Sequence, residues 1–189
     1  MGIFLYDIET LATDSNAVVL SAAIVHVDAR QKPTYQELLD DVVFVKFDAE
    51  EQIRKYKRSM STSTMNWWKT QSDETKQISL IPSDTDVSLI EGCQILSNYY
   101  KSFGQSYMMW CRGMDGMITE SLFNSAGMRP IARYNHWRDI RTAIDILYGT
   151  TNGYCAVDCD GFDKSMVTKH HPVHDVCYDA MMLLYGVEK

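Results

Sequence analysis

The segment FLYDIETLA, residues 4–12, places two carboxylates directly after an apolar run. Burying an unpaired carboxylate away from water is costly, so acids at the end of a buried strand need a compensating partner. Side chains two positions apart on a strand point to the same side. If residues 2–8 form a strand, Asp7 and Glu9 therefore project together beside the core, and the fold must hold both charges at one place.

The composition is that of an ordinary globular protein, with 189 residues, 46% hydrophobic and 23% charged, and predicts one domain over 1–189. The net charge of −7 is unlike that of proteins that coat nucleic acid through a broad basic surface. Five scattered cysteines favour reduced thiols and a cytoplasmic location over a disulfide framework. Neither a membrane span nor a secretory signal is expected, because no apolar run approaches about 18 residues and no basic region precedes the first one.

The hydrophobic pattern predicts an α/β fold with a mixed sheet flanked by helices. Three strands come first, and their short links favour an antiparallel arrangement over helical crossovers. Two more strands follow among helices. The predicted strands are 2–8, 17–29, 41–47, 106–111 and 130–136. The predicted helices are 62–71, 83–103, 115–126, 138–148 and 174–186, and residues 149–173 are expected to be irregular.

A third acid, Asp115, follows the predicted fourth strand and begins a predicted helix. Each acidic signal alone has a plainer explanation. A D-x-E pair is often an exposed edge or a turn entry, and Asp115 could simply cap its helix. The occurrence of these acids in this order along an α/β chain is what favours a shared site.

The start of the last helix adds His174 and Asp179, five residues apart. On a helix they would lie about 140° apart, so they share a face poorly. Pro172 makes a loop position for His174 reasonable, because the chain before and around a proline resists helix formation. A solvated helix start is the plainer alternative. His170 and His171 are rival histidines, and the five-residue step to Asp179 favours His174.

Clustered carboxylates repel one another and partly protonate unless positive charge joins them. Mg²⁺ and Mn²⁺ bind through oxygen ligands of this kind. Two such ions about 4 Å apart can activate a water and stabilise the departing oxygen when a phosphodiester is cleaved. A nearby histidine can take the proton of that water. The residue types therefore fit phosphodiester hydrolysis.

Three segments, YDIET, WCRGMDGMITESLF and HDVCYDA, resemble the motifs of the DEDDh group of 3′→5′ exonucleases, which have a ribonuclease H-like fold. The closest resemblance is to the exonuclease A proteins of T-even-type bacteriophages. It extends to STMNWWKTQS, PSDTDVSLI, RDIRT and CDGFDKSMVTKHHPVHD, and so covers nearly the whole chain. One departure is Met114, since relatives usually place an aromatic residue before the second aspartate.

The resemblance implies a role for each candidate. Asp7 would bridge two divalent cations, Mg²⁺ or Mn²⁺, while Glu9 and Asp179 would help to hold the ion that carries the attacking water. Asp115 would serve the second ion, largely through water. His174 would be the general base.

The resemblance also implies the activity: release of nucleoside monophosphates from the 3′ end of single-stranded nucleic acid. DNA is favoured as the substrate, and RNA or short oligoribonucleotides are the main alternative. An inactive nucleic-acid-binding protein of the same fold is the rival from another class. A phage-encoded enzyme would act in the cytoplasm of the bacterial host. The oligomeric state stays open, with a homodimer as one possibility.

Five residues outside the acidic set are candidate substrate contacts: Leu11, Trp67, Trp68, Arg112 and Arg138. The adjacent tryptophans cannot both face one core, so one could stack on a base, although both could also cover the sheet. The two arginines could meet phosphate, but Arg138 could equally form a surface ion pair. In related enzymes an apolar residue at the place of Leu11 wedges against the terminal base.

Overall fold

Five strands form the central sheet of this computed structural model, which describes residues 2–104 and 107–188. They are β1 (Gly2–Thr10), β2 (Val19–Asp28), β3 (Val43–Lys46), β4 (Met108–Cys111) and β5 (Trp137–Asp139). Their order across the sheet is β3-β2-β1-β4-β5. β1 pairs antiparallel with β2, and β2 with β3, whereas β1, β4 and β5 run parallel. The predicted mixed five-stranded α/β sheet is confirmed and is consistent with a ribonuclease H-like fold.

Eight α-helices of the described residues surround this sheet. They are α1 (Tyr35–Asp41), α2 (Ala49–Arg54), α3 (Thr62–Lys69), α4 (Asp73–Thr75), α5 (Leu89–Ser102), α6 (Asp115–Ser125), α7 (Ile140–Tyr148) and α8 (Pro172–Tyr185). A π-turn over Lys76–Leu80 continues α4, and short 3₁₀ turns occupy Tyr134–His136 and Lys164–Met166. A small second sheet pairs β6 (Ala156–Val157) with β7 (Gly186–Val187).

The alternation of side chains along β1 divides the interior into two layers. Phe4 and Tyr6 pack into a cluster that contains buried residues of α5 and α6. Ile3 and Leu5 pack into the cluster formed with α8, α1 and α7. Since successive strand residues point to opposite faces, the odd positions of β1 continue on the side of α8. The register of this central strand therefore aims its acidic end towards α8.

Three short helices, α1, α2 and α4, were missing from the prediction, and the first two have clear local causes. Thr34 caps α1, and its side chain and Glu37 form a reciprocal capping box. Asp48 caps α2 by accepting a hydrogen bond from the backbone of Glu51. Both helices have seven residues or fewer, so they show too little hydrophobic periodicity to stand out.

The predicted start of α5 at residue 83 is wrong. The helix begins at Leu89 with Ser88 as its N-cap, because the preceding chain is bound to β3. The backbone N–H of Val87 donates to the carbonyl of Lys46, and the Lys46 ammonium lies 3.5 Å from Asp86. Tertiary pairing therefore keeps residues 86–87 extended, although the local sequence favours a helix.

Smaller corrections concern the C-terminal half. The predicted strand 130–136 is wrong, since the strand is Trp137–Asp139, and α7 begins two residues later than predicted because Asp139 is its N-cap. The last helix begins at Pro172 rather than His174. Ser106, at the predicted start of β4, lies outside the described residues, as do Met1, Gln105 and Lys189. None of the helices in the described part of the chain combines the length and apolar character that a membrane crossing requires.

Candidate active site

The carboxylates of β1 line a cavity of about 1200 Å³. Asp7 and Glu9 follow Ile3 and Leu5 on the same side of the strand and are each 8% exposed. The hydrogen bonds of the neighbouring strands hold the backbone at both positions, which pair with Ala23 and Ser21 of β2. The strand therefore fixes two acids in one direction, as the sequence predicts.

Asp115 reaches the same cavity from the N-terminus of α6. The turn after β4 is closed by a reciprocal pair of hydrogen bonds. The Asp115 N–H donates to the Arg112 carbonyl, and the Arg112 N–H donates to the Asp115 carboxylate, each over 3.2 Å. Asp115 thus helps to form the helix start and also presents its carboxylate to the cavity.

The loop before α8 and the first turn of that helix supply His170 and Asp175. Ligand atoms of Glu9, His170 and Asp175 all lie within 4.8 Å of one another. The Nδ1 of His170 is 3.8 Å from a carboxylate oxygen of Glu9. This cluster of two carboxylates and one imidazole could hold a metal ion.

His174 lies outside the cavity, and the expectation that it precedes the helix is wrong. It is the third residue of α8, and its Nδ1 is 3.0 Å from the Tyr35 hydroxyl and 3.0 Å from the Met166 carbonyl. The backbone N–H of Thr168 lies 3.3 Å from the same nitrogen. These contacts place the His174 ring between α1 and the 164–168 segment, outside the cavity that Asp7 and Glu9 line.

Asp179 lines the cavity but is paired with Arg112. The Nε of Arg112 donates to both carboxylate oxygens at 2.9 and 3.1 Å, and its Nη2 donates to one of them as well. The Arg112 guanidinium also lies 4.4 Å from the centre of the Tyr154 ring. Both members of the ion pair are almost fully buried, so Arg112 already has a carboxylate partner within the protein.

Burial and mutual repulsion raise the pKa of the carboxyls in the cavity. Burial, followed by the charges of Asp175 and Asp115, raises the pKa of Asp7 and of Glu9 well above the usual range. Burial raises the pKa of Asp115 to about 7, and burial with the charge of Asp179 does the same for Asp175.

The histidine of the cluster shifts in the opposite direction. Burial, and then the neighbouring Lys169 charge, lower the pKa of His170, so its ring is neutral near pH 7. A neutral imidazole can accept a proton or bind a metal ion.

The donor set fits a divalent cation. One oxygen of Asp7, Oδ2, is buried and has no hydrogen-bond partner among the described residues. A buried oxygen of this kind needs an explanation, and an unplaced ion is one of the common ones. Carboxylate oxygens are the ligands that hard divalent cations prefer, so the residues present suit such an ion.

The two tryptophans of α3 have different surroundings. Trp68 is fully buried, and its indole N–H donates to the Thr10 carbonyl over 2.9 Å. It packs in a small cluster with Leu11, which is 4% exposed. Trp67 is 38% exposed, and its ring meets the His170 ring edge-to-face with centroids 4.8 Å apart. Of the two tryptophans, Trp67 is therefore the one that exposes its ring, and it does so beside His170.

The arginines of the 138–141 stretch also differ. Arg138 donates to the carbonyls of Asn135 and Trp137 and does not line the cavity. Arg141 does line it, and its charge acts on Asp115. Its guanidinium forms no ion pair or hydrogen bond within residues 2–104 and 107–188.

The family model of the 3′-5′ exoribonuclease Rv2179c-like domain matches residues 3–186. The chain belongs to this family. An exodeoxyribonuclease of Enterobacteria phage T4 is 29% identical over 214 residues, an alignment that covers 97% of this chain and 88% of the phage enzyme. No solved structure matches. The protein is therefore a 3′→5′ exonuclease that acts on nucleic acid, and the predicted resemblance to a phage exonuclease is confirmed.

Three residues of the exonuclease cavity were not selected from the sequence: Asp175, His170, which was weighed only as a rival to His174, and Arg141, which was weighed beside Arg138 as a phosphate contact. His170 and Asp175 repeat the same five-residue step as the pair chosen from the sequence. The proline argument applied to His174 fits His170 better, because His170 precedes Pro172 and stays outside the helix. That signal was present in the sequence, whereas the free guanidinium of Arg141 depends on tertiary contacts.

Proposed function

We propose that this exonuclease depends on two divalent cations and removes nucleoside monophosphates from the 3′ end of single-stranded DNA. In this proposal Asp7, Glu9, Asp115 and Asp175 hold the ions, and His170 is the general base. The observation that carries it is the convergence of Glu9, His170 and Asp175 within 4.8 Å, beside an oxygen of Asp7 that lacks a partner. Asp175 and His170 replace Asp179 and His174 in the roles that the resemblance implied.

The chemistry that bound Mg²⁺ or Mn²⁺ supplies is activation of a water and stabilisation of charge on the phosphate and the leaving oxygen. The protein holds His170 neutral, so that Nδ1, which faces Glu9, can take the proton of the attacking water. The water oxygen bonds to phosphorus, the bond from phosphorus to the 3′ oxygen breaks, and that oxygen takes a proton from solvent. The products are a nucleoside 5′-monophosphate and a strand one nucleotide shorter.

Two side chains at the edge of the acidic cluster are positioned for the substrate. The exposed ring of Trp67 can stack on a base without regard to sequence. Arg141 can meet a substrate phosphate, since no carboxylate of the described residues pairs with it. Arg112 has Asp179 as its partner, and Arg138 lies away from the cavity, so we assign both to the protein's own structure.

The choice of DNA rests on the phage T4 relative, which is named as an exodeoxyribonuclease and aligns with 97% of the chain. RNA is the second candidate, because the family description names exoribonuclease activity. To distinguish these substrates, the rate of degradation is measured on single-stranded DNA, single-stranded RNA and the DNA and RNA duplexes. All have one sequence and carry a 5′ label. A ladder of progressively shorter labelled products shows attack from the 3′ end, and a 3′-phosphorylated strand serves as the blocked control.

The residue assignment is tested with matched pairs of variants: His170→Ala against His174→Ala, and Asp175→Asn against Asp179→Asn. Loss of the general base should lower kcat by about 10²- to 10⁴-fold in His170→Ala, while His174→Ala should stay near wild type. Asp175→Asn should weaken Mg²⁺ or Mn²⁺ binding, measured by calorimetry, more than Asp179→Asn does. An inactive His174→Ala beside an active His170→Ala would reverse the assignment.

A further inference from the structure

The backbone of His170 is in an unusual conformation. Its φ is 58°, in the left-handed region that favours glycine over residues with a Cβ atom. A histidine stays in this region only where the surrounding contacts fix it, and such strained positions cluster at active sites. The contacts that hold this loop therefore decide where the imidazole points.

Three contacts hold the loop from different directions. The hydroxyl of Thr75 donates to the carbonyl of Lys169, the residue directly before His170, over 3.1 Å. The backbone of His170 faces the Asp175 carboxylate and lowers the pKa of that carboxyl against the effect of burial. The ring of Trp67 packs edge-to-face against the imidazole at 4.8 Å. Thr75 itself does not line the cavity.

Thr75 is itself rigidly placed. It is 3% exposed, and it ends α4 at the point where the backbone changes into the π-turn. The Ser72 hydroxyl donates to the Thr75 hydroxyl over 2.9 Å and accepts from the Thr75 N–H over 3.1 Å. The Thr75 proton is thereby directed at the Lys169 carbonyl, and hydrogen bonds in a chain of this kind reinforce one another.

We propose that Thr75 is a positioning residue for the exonuclease reaction, which sets the orientation of the His170 imidazole through the Lys169 carbonyl. The inference rests on the proposed role of His170 as general base. A positioning role for Thr75 has a different consequence for catalysis from a purely structural role. Without the Thr75 hydroxyl, the loop can rotate and the imidazole of His170 is no longer held in one orientation. The proposed substrate contacts, Trp67 and Arg141, lie on other elements and stay in place.

The test compares Thr75→Val, which keeps the shape but removes the hydroxyl, with Thr75→Ser, which keeps the hydroxyl. Ser79→Ala is the matched control, because Ser79 follows Thr75 in the adjoining 76–80 segment and its buried hydroxyl hydrogen-bonds to Ser21 of β2 over 2.8 Å rather than to Lys169. Thr75→Val should lower kcat by about 10- to 100-fold, with KM within about twofold of wild type, because misplacement by about 1 Å carries a cost of that size. Thr75→Ser should recover most of kcat, and Ser79→Ala should keep it.

A second readout is independent of turnover. In metal-free protein, the Cε1–H resonance of His170, assigned by its loss in His170→Ala, should shift or broaden in Thr75→Val and stay in place in Ser79→Ala. Equal effects of Thr75→Val and Ser79→Ala on kcat, or an unchanged resonance in Thr75→Val, would overturn the inference. If His170→Ala keeps full activity, the proposed base role fails. If His170→Ala is inactive and Thr75→Val is unaffected, only the role of Thr75 fails.

Discussion

Replacing Arg112 by methionine should destabilise the fold by an amount that grows with pH. Arg112 is the direct partner of Asp179, through two hydrogen bonds of 2.9 and 3.1 Å from Nε and a third from Nη2. The exposed fractions of the two side chains are only 10% and 5%. Methionine has a similar length and no charge, so Arg112→Met leaves the Asp179 carboxylate buried without compensation.

The expected loss is about 3–5 kcal/mol of unfolding free energy, the usual range when one member of a buried ion pair is removed. The Coulomb energy agrees, since unit charges about 4 Å apart interact by about 4 kcal/mol at an effective dielectric constant of about 20. Loss of the cation–π contact of Arg112 with Tyr154 adds up to about 1 kcal/mol.

The pH dependence follows from the pKa of Asp179. Burial raises this pKa, and Arg112 lowers it, so removing Arg112 raises it further. A carboxyl whose folded pKa lies above its unfolded value stabilises the fold below the unfolded pKa of about 4 and loses that stability as pH rises towards the folded pKa. The unfolding free energy that Arg112→Met loses relative to wild type should therefore be smaller at pH 5.5 than at pH 8.

Urea unfolding followed by tryptophan fluorescence in EDTA measures these free energies. The second variant, Arg112→Met with Asp179→Asn, removes both charges and should be more stable at pH 8 than Arg112→Met alone, because no charge is left buried. Additive effects of the two substitutions, or a loss in Arg112→Met that does not change between pH 5.5 and pH 8, would refute this account of the pair.

Three further predictions concern the cavity and its surroundings. Without metal, the melting temperature measured by scanning calorimetry should fall as pH rises from 5 to 8. The reason is that Asp115 and Asp175 have folded pKa values of about 7, above their unfolded values of about 4. Added Mg²⁺ should reduce this dependence of the melting temperature on pH. Trp67→Ala should raise KM by about 5- to 100-fold through loss of base stacking, and Trp67→Phe should restore most of it in steady-state assays. Thr34→Ala should cost about 1 kcal/mol in urea unfolding through loss of the α1 cap and leave kcat unchanged.

Much of the fold follows from local patterns. The apolar run of residues 2–8 and the β-branched run of residues 17–29 predict the first two strands, and the short link between them predicts their antiparallel pairing. Thr34 and Glu37 form a T-x-x-E signal that marks the start of α1 in the sequence. The start of α5 is different, because it is set by the pairing of Val87 with the end of β3.

Part of the candidate site also follows from local sequence patterns, and part depends on tertiary packing. The acids on β1 and at the start of α6 follow from a strand that ends in D-x-E and from a helix that begins at an acid. The last helix is ambiguous, since His170 with Asp175 and His174 with Asp179 have equal spacing. The spacing of two residues along a helix does not show how that helix is rotated relative to the sheet. The packing of α8 against β1 and β2 fixes that rotation, so the choice between the two pairs is a property of the tertiary structure.

The position of Arg112 explains why two aspartates on one face of α8 can have different roles. Asp175 and Asp179 are four residues apart, so both point towards the acids of β1. Asp179 has its charge neutralised by Arg112, which is fixed by the turn after β4. Asp175 has no arginine or lysine ion-pair partner among the described residues and lies with Glu9 and His170. The protein thus neutralises one carboxylate of the cavity, and the proposed cations would offset the mutual repulsion of Asp7, Glu9, Asp115 and Asp175.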